Sequence, residues 1–380
     1  MHDLAVVITP ITVPKWGLSM EEGVVVEWHV QEGDKVEFGQ ELLDIETSKI
    51  VNAVESNQTG VFRRAVEDAG ATVLVGQLIG VIADESVTDD EVDAYVEEFT
   101  KSYVPPELED NEESNTKFLD ISGNRFHYTS VEHEDNKNLP ILLIHGFGGD
   151  CNNWMFNIGE LAKEHTVYAL DLPGHGGSSK VIDDGSLNQL ATAVLEFMDA
   201  MGLVVAHVIG HSLGAAVAME VAKIQAGRVA SLGLLAPCGL GEKINNDYVR
   251  GFIDGQSRRE LKQTLGLLFA DKSLVSRDMV DDVLKYKRTD GVTAALGKIA
   301  ESVFPSGIQK HNFRDLLNSL QSLSILIIWG DLDEISDPKH SEGLHESIEI
   351  TMIEGIGHMP HMEAASEVNK LLLAHVSSMG

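Results

Sequence analysis

Four short segments of this chain carry residues that together could perform nucleophilic acyl chemistry. Val208-Ile209-Gly210-His211-Ser212-Leu213-Gly214 is an apolar run entering a G-x-S-x-G turn, and Ala215 to Ala226 behind it is rich in helix formers. A serine nucleophile needs a tight turn that exposes its hydroxyl, and side chains at Gly210 or Gly214 would crowd that turn. The helix start behind Ser212 offers amide donors and a positive dipole end to a developing oxyanion. Ile144-His145-Gly146-Phe147-Gly148-Gly149 follows another apolar run, so the amide of Phe147 can join that of Leu213 as a second donor. Ile325 to Trp329 leads into Gly330-Asp331-Leu332-Asp333, where Asp333 is taken ahead of Asp331 as the acid. Gly355-Ile356-Gly357-His358 supplies the base, in the chain order serine, aspartate, histidine. His145, His211 and His361 are expected to pack or to hydrogen-bond. A G-x-S-x-G alone is a weak signal and an isolated histidine is commonly structural; the strand, turn and helix context joins the four.

These segments need a frame that brings strand ends together. From Lys117 onward, strand candidates at 139–144, 166–171, 207–209, 231–236, 325–329 and 349–353 alternate with helical patterns. That alternation predicts a mostly parallel sheet covered by helices, whose strand carboxyl ends form one crevice. Between about 240 and 320 the strand pattern stops and helical patterns take over. This stretch holds 13 of the 28 basic residues and 11 acidic ones in a chain of net charge −32. The local excess of positive charge nominates Arg250, Arg258, Arg259 and Lys262, with Lys285, Lys287 and Arg288, to receive an anionic substrate. The competing reading is ordinary surface pairing with Asp254, Glu260, Asp281 and Asp282.

With Asp171-Leu172-Pro173-Gly174-His175-Gly176 between them, the four segments resemble the α/β-hydrolase family across residues 117–380. The resemblance implies that fold with a helical lid at about 240–320, a Ser212-Asp333-His358 triad, and an oxyanion hole from Phe147 and Leu213.

The N-terminal segment, residues 1–83, reads as short β-branched runs punctuated by glycine, clearest at 24–26, 41–45 and 61–62. Sliding it by 37 residues aligns Gly33, Val36, Gly39, Gln40, Leu42 and Ile45 with Gly70, Val73, Gly76, Gln77, Ile79 and Ile82. Two copies are too few for a solenoid and predict two similar small sheets packed face to face, an all-β flattened barrel or sandwich. The first copy runs on into Glu46-Thr47-Ser48-Lys49-Ile50, whereas the second has no lysine at the matching place. Lys49 is therefore expected at a hairpin tip. Here the segment resembles the lipoyl domains of 2-oxo acid dehydrogenase complexes, with Gly33 sixteen residues before the lysine and Gly60 eleven after it. The resemblance implies covalent lipoate on Lys49. Biotinyl domains share the fold but set the lysine between methionines, where this chain has Ser48 and Ile50.

Residues 84–116 form an acidic linker, with thirteen Asp or Glu and one basic residue, Lys101, in 84–115. Within it Thr88-Asp89-Asp90-Glu91 is a capping-box pattern, followed by Val92, Tyr95, Val96, Phe99 and Tyr103 at helical spacing. A helix over 88–103 is predicted, its apolar stripe docked either on its own neighbour or on another subunit.

A lipoyl domain joined to an α/β-hydrolase domain resembles the acetyltransferase subunits of acetoin dehydrogenase complexes. That likeness implies acetyl transfer from a Lys49-borne lipoyl arm to coenzyme A. It also implies thiamine-diphosphate-dependent and dihydrolipoyl dehydrogenase partners and a homo-oligomeric core. One departure stands out: none of the Asp-Gly pairs, at 184, 254 and 290, has the histidine four residues earlier that the usual acyltransferase domain of these complexes carries. Two rival readings stay open: a lipoyl-bearing hydrolase acting on an ester, thioester or carbon–carbon bond, and a carrier scaffold with an idle triad. The charge of −32 opposes nucleic acid and anionic lipid as partners. Two cysteines, Cys151 and Cys238, provide neither a disulfide framework nor metal spacing. The opening residues lack a basic region before a long apolar core, and Val204 to Ala222 is broken by polar residues, so a cytoplasmic protein without a bound metal is expected.

Overall fold

The structure is a computed structural model that describes residues 8–14, 20, 22–47, 51–56, 58–103, 116–121, 123–133 and 137–377. The chain divides into two compact units, essentially Met1–Glu112 and the residues from Glu113 onward. Each is described by itself.

The first unit contains β1 (Ile8–Thr12), β2 (Glu22–Trp28), β3 (Lys35–Val36), β4 (Glu41–Glu46), β5 (Val51–Glu55), β6 (Gly60–Ala65), β7 (Thr72–Leu74) and β8 (Leu78–Ala83). They form two four-stranded sheets, in the orders β1-β8-β6-β3 and β5-β4-β2-β7. The 37-residue repeat is visible bond by bond. Gly33 donates its N–H to Phe62 and Gly70 donates to Val25, each at 2.7 Å, and each pair lies 37 residues from its counterpart. Gly33 and Gly70 have φ of 99° and 92°, and Gly39 and Gly76 have 80° and 79°, so all four occupy the left-handed region that favours glycine. The repeat mates Val25 and Phe62, Leu42 and Ile79, and Ile45 and Ile82 are fully buried in one core shared by the two sheets.

The helix α1 (Asp89–Ser102) begins at Thr88, whose side chain and that of Glu91 cap each other's backbone. It docks on its own domain: Val92 is fully buried with Leu78, Val81, Ala83 and Val87, and Tyr95, Val96 and Phe99 pack beside them. Arg63 and Arg64 of β6 reach Asp89 and Asp93 of the helix. The strand β8 is consequently buried along its whole length, inside against the core and outside against α1. Each large apolar side chain covered this way contributes about 1.5–3 kcal/mol.

The second unit is built on β9 (Thr116–Ile121), β10 (Asn124–Val131), β11 (Ile141–Ile144), β12 (Val167–Leu170), β13 (Ala206–His211), β14 (Val229–Leu235), β15 (Ser324–Gly330) and β16 (Glu349–Ile353). Among the described residues they form one sheet in the order β16-β15-β14-β13-β11-β12-β10-β9. From β12 to β16 neighbouring strands are parallel, whereas β10 runs antiparallel to both β12 and β9. The hairpin β9–β10 is not among the strands expected from sequence; its inward side chains Phe126, Tyr128 and Ser130 alternate with polar ones. Helices α2 (Ile158–Leu161), α3 (Leu187–Ala200), α4 (Leu213–Gln225), α10 (Pro360–Glu363) and α11 (Ala365–Ser377) accompany the sheet. Between β14 and β15 the chain inserts α5 (Asn246–Asp254), α6 (Arg258–Gly266), α7 (Arg277–Lys287), α8 (Val292–Val303) and α9 (Arg314–Ser319), the helical lid.

Candidate active site

Ser212 stands between β13 and α4 at φ 53° and ψ −113°, a backbone conformation that side chains rarely adopt. Two features over-determine it. The Ser212 N–H donates to the Leu235 carbonyl at 2.9 Å, and both pattern glycines sit where no Cβ fits. A Cβ at Gly210 would lie 2.4 Å from the Gly214 carbonyl oxygen, and one at Gly214 would lie 2.2 Å from that of Ile144. The turn is thus locked by β11 on one side and by its own helix on the other.

The three residues singled out from sequence come together as a chain of hydrogen bonds. His358 Nε2 is 2.9 Å from Ser212 Oγ, and His358 Nδ1 is 2.7 Å from Asp333 Oδ2. The Asp333 carboxylate is fully enclosed. Its Oδ1 accepts the N–H groups of Ile335 and Ser336 at 2.7 and 3.0 Å, and its Oδ2 also accepts Trp329 Nε1–H at 2.8 Å. Asp331, two residues earlier, is exposed and instead accepts the Gly355 N–H at 2.7 Å. Such an arrangement can take the serine proton on a histidine whose orientation a buried carboxylate fixes.

The loop after β11 lies against the same serine. A Cβ at Gly146 would come 2.7 Å from His211 Nδ1 and 3.2 Å from Ser212 Cβ, so the loop approaches as closely as backbone can. Among the described residues the amides of Phe147 and Leu213 donate to no protein acceptor. Two residues that no sequence motif had marked complete the surroundings. The Tyr248 hydroxyl of α5 donates to the Phe147 carbonyl at 2.9 Å, and Cys238 Sγ lies 3.4 Å from Ser212 Oγ. Burial pushes the Cys238 thiol up to about 12, so it stands beside the serine as a neutral group.

The remaining histidines hold the frame. His211 Nε2–H donates to the His358 carbonyl at 2.8 Å, His145 Nε2 accepts the Leu172 N–H at 3.0 Å, and His361 packs on the Trp154 ring at 4.6 Å between centroids. His127, Cys151 and Asp171 bring one possible metal-ligand atom each within 4.8 Å of one another. Asp171 is already occupied there: it accepts from the N–H groups of Cys151 and Gly177 at 2.6 and 2.7 Å and meets His127 Nδ1 at 2.5 Å. The group works as a clasp joining β10 to the loops after β11 and β12.

The nominated lid cations separate into two sets. Arg250 pairs with Asp254 at 3.0 Å, and Arg258 grips Asp281 through two bonds at 2.5 and 3.0 Å. Lys287 is spent on the carbonyls of Phe252 and Gly255. Arg259 and Lys262 on α6, Lys285 on α7 and Arg288 just after it are exposed. A cavity of about 600 Å³ at the foot of the lid is lined by Glu242, Glu334 and Asp337 against Lys243 and His340, a charge balance unsuited to phosphates.

Lys49 lies outside the described residues. It falls in the connection between β4 and β5, which pair antiparallel with Glu46 opposite Val51.

The comparisons with known proteins match this organisation. Residues 140–365 match the family of the α/β hydrolase fold, and residues 9–82 match the biotin- and lipoyl-bearing family described as biotin-requiring enzymes. The chain is 42% identical over 98% of its length to the dihydrolipoyllysine-residue acetyltransferase component of the acetoin cleaving system of Cupriavidus necator, covering 99% of that protein. It is 40% identical over 97% of its length to the component of the same name from Pseudomonas putida, covering 98% of it. Among solved structures, a meta-cleavage product hydrolase from Pseudomonas fluorescens shares the fold with a TM-score of 0.62 at 20% identity, over 70% of this chain and 98% of that one. A two-unit chain matched end to end in this way belongs to the family of dihydrolipoyllysine-residue acetyltransferase components of acetoin cleaving systems, its second unit carrying the α/β hydrolase fold.

Proposed function

We propose that this protein transfers an acetyl group from a lipoyl arm on Lys49 to coenzyme A within an acetoin dehydrogenase complex, through an acyl-enzyme on Ser212. The observation that carries the reading is the continuous hydrogen-bonded chain from Ser212 to His358 to Asp333 in a protein that resembles acetoin-system acetyltransferases over 98% of its length. The position of Lys49, between two paired antiparallel strands and absent from the second repeat, fits a lysine offered for lipoylation. Lipoate there supplies a reduced thiol that can carry an acyl group as a thioester.

The chain's own residues do the rest. His358, oriented by Asp333, removes the Ser212 proton as Oγ attacks the thioester carbonyl, and the amides of Phe147 and Leu213 face the tetrahedral oxyanion. Collapse expels the dihydrolipoyl thiol, which takes the proton from His358. The coenzyme A thiol then attacks acyl-Ser212, giving its proton to His358, and acetyl-coenzyme A leaves as Ser212 is reprotonated. Arg259, Lys262, Lys285 and Arg288 are the nominated lid cations left exposed to meet the acceptor's phosphates; Arg250 and Arg258 would first have to exchange exposed ion pairs, which are weak. The acyl donor requires a thiamine-diphosphate-dependent partner, and reoxidation of the dithiol requires a dihydrolipoyl dehydrogenase.

The fold's likeness to hydrolases favours a second reading, in which water is the acceptor. Incubating the purified protein with S-acetyldihydrolipoamide, with and without coenzyme A, decides between them. Acetyl-coenzyme A formation that disappears in Ser212→Ala is expected; release of acetate at the same rate without coenzyme A would make the protein a hydrolase. Peptide mapping of protein from its native host should place lipoate on Lys49 alone.

A further inference from the structure

The lid is strapped to the loop that carries the base. After α6 the chain passes through Leu268, Phe269 and Ala270 directly across Gly357. A Cβ at Gly357 would lie 2.6 Å from the Ala270 nitrogen and 2.9 Å from the Phe269 carbonyl carbon, so glycine is what permits the approach. The Leu268 carbonyl accepts the N–H of His358 itself at 2.8 Å. Glu363, at the end of α10, closes the strap from the other side. Its Oε2 accepts the Ala270 N–H at 2.8 Å, while its Oε1 accepts those of Gly357 and Met359 at 3.0 and 3.3 Å. One carboxylate therefore holds the lid with one oxygen and both chain neighbours of His358 with the other.

A carboxylate withdrawn from water is costly unless its acceptors are used, and these are used by three backbone donors from two separate segments. Nothing in the Ser212–His358–Asp333 chain calls on Glu363, which touches none of the reacting atoms. Its contacts join two elements that must both be in place when the reaction occurs.

We propose that Glu363 is a positioning residue that couples the lid to the base, so that His358 is aligned with Ser212 only while the segment Leu268–Ala270 is seated on the histidine loop. Admission of an acyl donor or acceptor by lid movement then withdraws the base, and an acyl-enzyme under a displaced lid has no aligned histidine to activate water. That consequence rests on the acyl-transfer reading; the coupling itself does not.

Glu363→Gln tests it in the full-length protein, assayed above the pH of about 7 at which burial lets the Glu363 carboxyl take its proton, with p-nitrophenyl acetate as acyl donor. The amide keeps the shape but turns an NH₂ toward one of the two sets of donors. Losing one charged hydrogen bond should lower kcat about tenfold with KM within about twofold, and should speed deuterium exchange in both 268–270 and 355–359. Ala270→Pro removes the lid-side donor without altering any atom of the histidine loop, and coupling requires that it too speeds exchange at 355–359 and lowers kcat. Wild-type kcat in Glu363→Gln, or faster exchange confined to the lid with kcat intact, would overturn the proposal; if Ala270→Pro does not fold, Glu363→Gln decides alone. A wild-type protein that forms no acetyl-coenzyme A would sink the transfer reading, while ester turnover would still report on the strap.

Discussion

The Tyr248 hydroxyl donates to the Phe147 carbonyl at 2.9 Å, which ties the first lid helix to the loop after β11 that lies against Ser212. Phe252, one turn further along α5, fills the space beside Gly148, where a Cβ would lie 2.5 Å from its ring. The first lid helix and the loop after β11 therefore pack together. Tyr248→Phe deletes only the hydroxyl and leaves a buried carbonyl unpaired, at a cost of about 1–3 kcal/mol. We expect a lower melting temperature together with a kcat reduced about tenfold, and a variant with normal kcat would mean that the loop holds its shape without the lid.

Asp333→Asn should be more damaging than its size suggests. Oδ1 accepts two backbone amides and Oδ2 accepts from both His358 and Trp329, so every neighbour of this carboxylate is a donor. Whichever way the new amide turns, its NH₂ must face donors. Keeping the oxygen on the two amides forces the NH₂ against His358 Nδ1–H and selects the wrong tautomer. A loss of roughly 10³–10⁴ in kcat is expected, as for other triads so altered, and the buried donors left facing the new NH₂ should lower the melting temperature as well. Steady-state kinetics and a thermal melt check both halves.

How much of this site could be read beforehand depended on where each residue sits in the chain. Ser212 and His358 are flanked by glycines that the close approaches at Gly210, Gly214 and Gly357 demand, so their neighbours announced them. No local pattern separates Asp333 from Asp331, and the bonds from His358, Trp329, Ile335 and Ser336 are what set Asp333 apart. Tyr248, Cys238 and Glu363 left no local pattern because each acts on a partner brought near by the fold: Phe147 is 101 residues from Tyr248 and Ala270 is 93 from Glu363. In the first unit the repeat foretold two matching sheets, and the capping box foretold α1 to within a residue at each end. The choice of docking surface for α1 was not legible, since it depends on the outward side chains of β8.

Acid should weaken the second unit before it reaches ordinary carboxylate pKa values. Burial holds His175 and His361 at about 3 instead of 6.5, and it lowers His207 and His375 to about 4. Between those values and 6.5 the unfolded chain binds protons that the folded chain refuses, so stability falls as pH falls. Each fully buried histidine contributes a slope of about 1.4 kcal/mol per pH unit. Glu363 acts oppositely: desolvation raises its carboxyl to about 7, so below that pH the folded state holds a proton which the unfolded chain releases until about 4.5. One such group does not offset four. Melting temperatures between pH 7 and pH 5 should fall, and His361→Asn or His175→Asn should flatten that dependence; a flat wild-type curve would show these rings protonated in place.

The split among the lid cations predicts which of them an anionic acceptor feels. Arg250 and Arg258 already hold Asp254 and Asp281, so their guanidinium donors are engaged and not presented to an incoming phosphate. Arg259 and Lys262 share α6 and are exposed. Their removal takes away donors open to a phosphate, on a chain of −32 toward which a coenzyme A molecule must diffuse against repulsion. We expect Arg259→Ala with Lys262→Ala to raise KM for coenzyme A by about tenfold at low salt, shrinking toward unity near 0.5 M as screening shortens the reach of every surface charge. Arg250→Ala and Arg258→Ala should each change it by less than about twofold, and turnover of p-nitrophenyl acetate should be indifferent to all four. An equal effect of all four substitutions on both substrates would assign them to the stability of the lid and move the acceptor's phosphates to another face.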